Sequence, residues 1–182
     1  MASSGPKAQL RVAGRSLLEH VIQSALPLGA RRIIVCCGES EDWRLVVSNL
    51  YPNIVEAIRS SSERSSVSLV KECLENLSDR VIFMYGHAPR PTSHLLALVQ
   101  ITSPFVATSV KSSTRQDAIS REDRYLEPPY VFSKKIIRPE HQTWRDVIQS
   151  CNVSVVPICG PGEFNYLDEF RDYDRYVCTN FD

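Results

Sequence analysis

The apolar positions of this chain recur with two periods, and the way those periods alternate predicts the order of its elements. In "SLLEHVIQSAL", residues 16–26, Leu17, Leu18, Val21, Ile22 and Leu26 share one face at helical spacing, and Pro27 with Gly29 ends the pattern. "RRIIVCC" at 31–37 is a short β-rich run ending at Gly38. "DWRLVVSNL" predicts a second, shorter helix, and "NIVEAI" at 53–58 a second strand. Ser65 or Ser66 is positioned to cap "VSLVKECLENL", whose apolar stripe is Val67, Val70, Leu74 and Leu77. "RVIFMY" at 80–85 reads as a buried strand, Thr92 or Ser93 as the cap of "HLLALVQI", and "PFVATSV" as the next strand. Residues 111–127 are polar and charged and are expected to form a long loop or excursion. "YVF" at 130–132, a helix near "WRDVIQSC", the strand "VSVVPI" and a last helix from about Leu167 complete the pattern.

Strands alternating with helices at this spacing predict an α/β fold: a mostly parallel sheet covered on both faces. A length of 182 residues suits a single domain, 1–182, with no internal repeat or linker. Composition narrows the partners. Lys plus Arg equals Asp plus Glu at 21 each, so no global basic footprint for nucleic acid or an anionic membrane is expected. The six cysteines form no CxxC pair and no His-spaced zinc cluster, and they read as buried thiols of a soluble, cytoplasmic protein. Adjacent Cys36 and Cys37 are predicted to point to opposite faces of a strand.

In sheets of this kind ligands sit beyond the carboxyl ends of the strands, which singles out the loops at 38–41, 86–92 and 159–166. The most informative stretch is "MYGHAPRPTS", residues 84–93, which offers His87 and Arg90 where a strand hands over to a helix. Arg90 is suited to a bidentate clamp on phosphate, and a helix N-terminus adds N–H donors and a positive dipole. A tight connection with two solvated side chains is the alternative.

"GPKAQLRVAGRSLLEHVIQSALPLGARRIIVCCGE" resembles the nucleotidyltransferase pattern GxGxRMxxxxPKxLxxxxGxxLLxH followed by a strand and a Gly. That superfamily includes MobA-like NTP transferases such as the molybdenum cofactor guanylyltransferases, and the methylerythritol phosphate cytidylyltransferases. "ERSSVSLVKECLENL", "YGHAPRPTS", "PPYVFSKKII" and "GEFNYLDEFRDY" resemble further segments of the family in order. The resemblance implies a three-layer α/β/α fold like that of the nucleotide-diphospho-sugar transferases (glycosyltransferase-A-like). It implies binding of a nucleoside triphosphate, a phosphorylated small molecule and Mg²⁺ or Mn²⁺. Carried over by position, Lys7 would contact the triphosphate, Ser66 the nucleotide and Arg90 an acceptor or phosphate group. His87, Glu163 and Asn165 would fall at or near the metal.

Three departures qualify the resemblance. His87 stands where the family has a metal-binding aspartate, and imidazole suits Mg²⁺ poorly. The closing motif lacks its Thr-Pro, with Tyr166 and Leu167 after the Asn, and Asp168 and Glu169 read equally well as first-turn acids of a helix. The family's first strand and glycine-rich loop would fall before Met1, which stands where an internal family methionine would stand. The domain is therefore expected to be N-terminally incomplete, through natural loss or through a start assigned too late. Two functions remain open at this stage: a nucleotidyltransferase, and a non-catalytic nucleotide-binding or regulatory module on the same fold. A glycosyltransferase using Asp172 and Asp174 ranks below both, since helical spacing turns that pair to different faces.

Overall fold

The structure, a computed structural model, describes residues 7–37, 41–60, 65–110, 119–121 and 124–157. It opens with a 3-10 turn at Lys7–Gln9 and a small hairpin of β1 (Arg11–Val12) and β2 (Arg15–Ser16). The two turn residues, Ala13 and Gly14, both have positive φ (48° and 80°), the twist that a two-residue hairpin demands. Helix α1 (Leu17–Ala25) starts at a capping box in which the Ser16 hydroxyl accepts from Glu19 N–H and the Glu19 carboxylate accepts from Ser16 N–H. That donated bond holds the Glu19 carboxyl below its ordinary pKa. Leu17, Leu18, Val21 and Ile22 are buried, as their spacing predicts.

Two βαβ-type connections follow the expected order. β3 (Ile33–Cys36), α2 (Glu41–Ser48) and β4 (Val55–Ile58) form a parallel pair of strands with its crossover helix. α3 (Ser66–Cys73), capped by Ser65, leads to β5 (Arg80–Phe83), and α4 (Thr92–Gln100) leads on to β6 (Phe105–Val110). β7 (Ile119–Arg121), β8 (Arg124–Ser133), α5 (Trp144–Gln149) and β9 (Val153–Pro157) complete the described elements.

The larger sheet has the order β5-β8-β6-β9, with β7 paired to β8. Within the expected α/β fold, β5, β6 and β9 run in one direction and the sheet is made mixed by an antiparallel insertion. β8 lies between β5 and β6 and runs antiparallel to both, while β6 and β9 are parallel. The ten-residue β8 extends the short "YVF" strand upstream and takes up 124–127 of the loop expected at 111–127, β7 takes up 119–121, and the remainder of that stretch lies outside the described residues. The disguise of β8 in the sequence was Pro128–Pro129. Proline cannot donate to a ladder, and the β6–β8 register shifts between Ala107 and Thr108, so that Ala107 faces Tyr130 and Thr108 faces Glu127. The final helix expected from Leu167 lies outside the described residues.

Helices cover both faces of this sheet, which gives the expected three layers. Phe105, Ala107, Tyr130, Phe132 and Val81 pack with Val67 and Val70 of α3 and Trp144, Val147 and Ile148 of α5. Their strand neighbours Val106, Val131 and Ile82 face the other way, against Leu95 and Leu98 of α4. A separate cluster joins Leu18 and Ile22 of α1 to Val47, Val55 and Cys37, with Ile33 and Val35 packed beside it. β3 and β5 each have one strand partner, and among the described residues nothing pairs with their other edges.

Candidate functional site

The loop after β5 is where sequence and geometry meet. Gly86 is needed there for close approach: a Cβ on it would lie 3.3 Å from Leu18 Cδ1 and 3.6 Å from Ala8 Cβ. The turn that carries Lys7 therefore sits against the "GHAPR" loop, and an exposed Lys7 stands beside the stretch that holds His87 and Arg90. Arg90 is not a solvated side chain. It is 3 % exposed, so a guanidinium charge is held inside the protein at the carboxyl end of β5.

Sequence reading missed the residues behind Arg90. His94, one turn into α4, has its Nε2 3.0 Å from Thr108 Oγ1, and the Thr108 hydroxyl is also 3.3 Å from Pro129 O on β8. Burial, and then the nearby Arg90 charge, push the His94 pKa down to about 4, so the imidazole is neutral at physiological pH. Thr108, Ser109 and Glu127 are all buried at the same ends of β6 and β8. The available signal was weak: a polar "TSV" tail on an apolar strand, and a lone Glu before two prolines. The expected cap of α4 is also corrected. Pro91 occupies the N-cap position without a side-chain bond, and Thr92, the first helical residue, donates its hydroxyl to Ser24 O of α1.

Ser66 sits apart from the loop after β5, at the first position of α3. Its hydroxyl accepts a 2.9 Å hydrogen bond from Trp144 Nε1 at the start of α3. Trp144 packs on Phe83 with ring centroids 4.9 Å apart, Phe83 meets Tyr85 at 5.3 Å, and Tyr85 stacks on His87 at 5.7 Å. An aromatic row thus runs from Ser66 to the loop. His87 and Arg90 share the loop after β5, the turn that carries Lys7 meets that loop where Ala8 approaches Gly86, and Ser66 is linked to it through these rings. Glu163 and Asn165 lie outside the described residues.

Among the described residues no group of three or more His, Cys, Asp or Glu side chains is arranged to hold a metal. His87, stacked on Tyr85, offers imidazole where Mg²⁺ chemistry asks for carboxylate oxygen. The described donor set does not fit a Mg²⁺ centre.

The pattern of strands, helices and loop residues has a counterpart in a known family: residues 1–147 match the MobA-like NTP transferase domain. This chain belongs to that family. Among curated proteins it is 31% identical over 103 residues to the bifunctional protein GlmU of Xanthobacter autotrophicus, a match covering 55% of this chain and 23% of that protein. The chain thus spans about a quarter of that curated relative's length. Among solved structures it resembles 4-diphosphocytidyl-2C-methyl-D-erythritol synthase of Anaerococcus prevotii (TM-score 0.73, 17% identity, 94% and 91% of the two chains). HddC of Yersinia pseudotuberculosis, complexed with GMP-PN, follows at TM-score 0.72 and 14% identity, with 97% and 91% covered. Rv0371c of Mycobacterium tuberculosis, in complex with manganese, superimposes at TM-score 0.70 and 14% identity, with 96% and 92% covered. At these identities the structures establish the fold, and the family match makes the chain a nucleotidyltransferase-like domain. No helix among the described residues is long and apolar enough to cross a membrane.

Proposed function

We propose that this domain joins a nucleoside triphosphate to a phosphorylated small molecule and releases pyrophosphate, working at the carboxyl ends of β5 and β6. The observation that carries this reading is the buried Arg90 beside the Lys7 turn. The reaction needs little covalent help. An acceptor phosphate oxygen attacks the α-phosphorus in line, the bond to the bridging oxygen breaks, and pyrophosphate leaves with the electron pair. Arg90 offers a rigid, always charged fork for phosphoryl oxygens, and Lys7 a mobile charge for the triphosphate tail. The supporting context is the family match and the nucleotide complex of HddC. The zero net charge fits small-molecule partners better than nucleic acid, in a cytoplasmic setting.

A sheet that takes one further strand between β3 and β5 belongs to this reading, with 1–182 forming most of a single domain. It is supported by their two edges without strand partners among the described residues, and by the half-buried Ile33, Ile34 and Val35.

A non-catalytic nucleotide-binding module on the same fold is the second reading, favoured by His87 stacking on Tyr85 in place of a metal-binding carboxylate. One experiment separates the two. Pyrophosphate release and nucleotide binding are measured with each NTP and Mg²⁺ or Mn²⁺, for the 182-residue chain and for the chain extended by the in-frame codons upstream of Met1. Release that falls in Arg90→Lys supports the transferase. Binding without release by either protein supports the module, and neither binding nor release removes both.

A further inference from the structure

We infer that the loop after β5 takes the polyphosphate of its ligand as a bare anion, without a bridging divalent cation, because cationic side chains stand where a metal would otherwise offset the charge. This deepens the proposed nucleotide reading of the site and rests on it. The donors there suit phosphoryl oxygen and not Mg²⁺. Mg²⁺ is held by carboxylate and phosphate oxygens, whereas imidazole N–H, guanidinium and ammonium groups donate to phosphate directly.

The sequence around the loop contains no acid. Neither Asp nor Glu occurs from Arg80 to Val110, which is the whole of β5, the loop, α4 and β6. None occurs from Lys7 to Leu18 either, across the turn and hairpin that meet the loop. The next acid along that segment, Glu19, is engaged in the capping box, where its carboxylate accepts from both the N–H and the hydroxyl of Ser16. Glu127 lies opposite Thr108 in the β6–β8 register but is 3 % exposed, so it is closed to an ion that keeps several of its waters.

The cationic groups are set on a fixed frame. Arg90 is 3 % exposed, and solvent screens a buried guanidinium poorly, so its field reaches further than that of a surface charge. His87 stacks on Tyr85 with ring centroids 5.7 Å apart and planes at 25°, which fixes the plane in which its N–H donates. A Cβ on Gly86 would lie 3.6 Å from Ala8 Cβ, so the exposed turn that carries Lys7 closes on the loop beside His87. Beyond Arg90 the chain is fastened at two points: Thr92 donates to Ser24 O at 3.2 Å, and His94 Nε2 lies 3.0 Å from Thr108 Oγ1. A loop held in this way needs no ion to order it. A hydrated Mg²⁺ entering here meets no open carboxylate among the described residues and is repelled by the buried guanidinium. A metal-free polyphosphate is attracted by the same charge, the reverse of what a carboxylate at position 87 would give.

The test is calorimetric titration of the 182-residue chain with each of the four NTPs, and with inorganic tripolyphosphate, first in EDTA and then in excess Mg²⁺ or Mn²⁺. The expected result is saturable binding in EDTA that either metal weakens by about tenfold, since the metal draws the free polyphosphate into its own complex. His87→Asp is expected to reverse the sign, so that metal strengthens binding. The titrations of the unaltered chain carry the test if that variant fails to fold. Binding by the unaltered chain that either metal strengthens or leaves unchanged would overturn the inference and leave the proposed transferase standing. Absence of binding in every condition would overturn both.

Discussion

The β3-β4 sheet and the five-stranded sheet are built from similar sequence and end in different environments. In β6 and β8, Phe105, Val106, Ala107, Val131 and Phe132 are fully buried, with strand partners on both edges and helices on both faces. In β3, an equally apolar "IIVC", Ile33, Ile34 and Val35 are half-buried and Cys36 is exposed. Burial is conferred by neighbours. A strand with one partner leaves apolar surface in water whatever its composition, and loses roughly 25 cal/mol for each Å² that stays wet.

Core truncation gives the largest test of that contrast. Phe105→Ala is expected to cost about 3–5 kcal/mol in urea unfolding, whereas Ile34→Ala, starting half exposed, is expected to cost about 1–2 kcal/mol. Equal costs would erase the distinction between the sheets.

Function adds a second contrast, between the buried Arg90 and the exposed Lys7. Arg90→Lys keeps the charge and loses the fork, and pyrophosphate release is expected to fall by about a hundredfold. Lys7→Ala, on an exposed turn, is expected to cost about tenfold or less. A reversed order would move the proposed clamp from Arg90 to Lys7.

The pH dependence isolates His94 in the larger sheet's layer. Its folded pKa of about 4 lies below the ordinary 6.5, so the unfolded chain takes up the proton first as pH falls. The stabilisation from neutral His94 is complete above pH 6.5 and is lost as pH drops from about 6.5 to 4. The loss is on the order of 2 kcal/mol after allowance for its partial exposure. His94→Gln, which keeps a donor towards Thr108, is expected to flatten that window in stability measured against pH. The smallest effect belongs to the smaller sheet: Arg32→Ala removes a half-exposed ion pair with Glu56 and is expected to shift stability by less than about 1 kcal/mol.

Local patterns carried most of the fold. The face of α1, the Ser65 cap of α3 and the opposite orientations of Cys36 and Cys37 all follow from spacing within a few residues. What escaped depends on distant partners. β8 was hidden because its prolines contradict a central strand until the register shift of β6 is known, and only then does Glu127 fall opposite Thr108. The site divides in the same way. Arg90 was legible from its loop, but the His94–Thr108 contact joins residues that only the packing of α4 on β6 brings together. Ser66 stands out in the sequence by its place at the start of a helix, and its hydroxyl is engaged by a tryptophan 78 positions away.

The loop after β5, against the Lys7 turn, is proposed as the nucleotide-facing surface. Amide hydrogen exchange with and without a saturating NTP, each of the four in turn, tests it directly. Exchange is expected to slow at 7–10 and 84–90 with one or more nucleotides, while the already protected core of β6 and β8 stays unchanged. Unaltered exchange at 84–90 with every NTP, or protection confined to other segments, would contradict it.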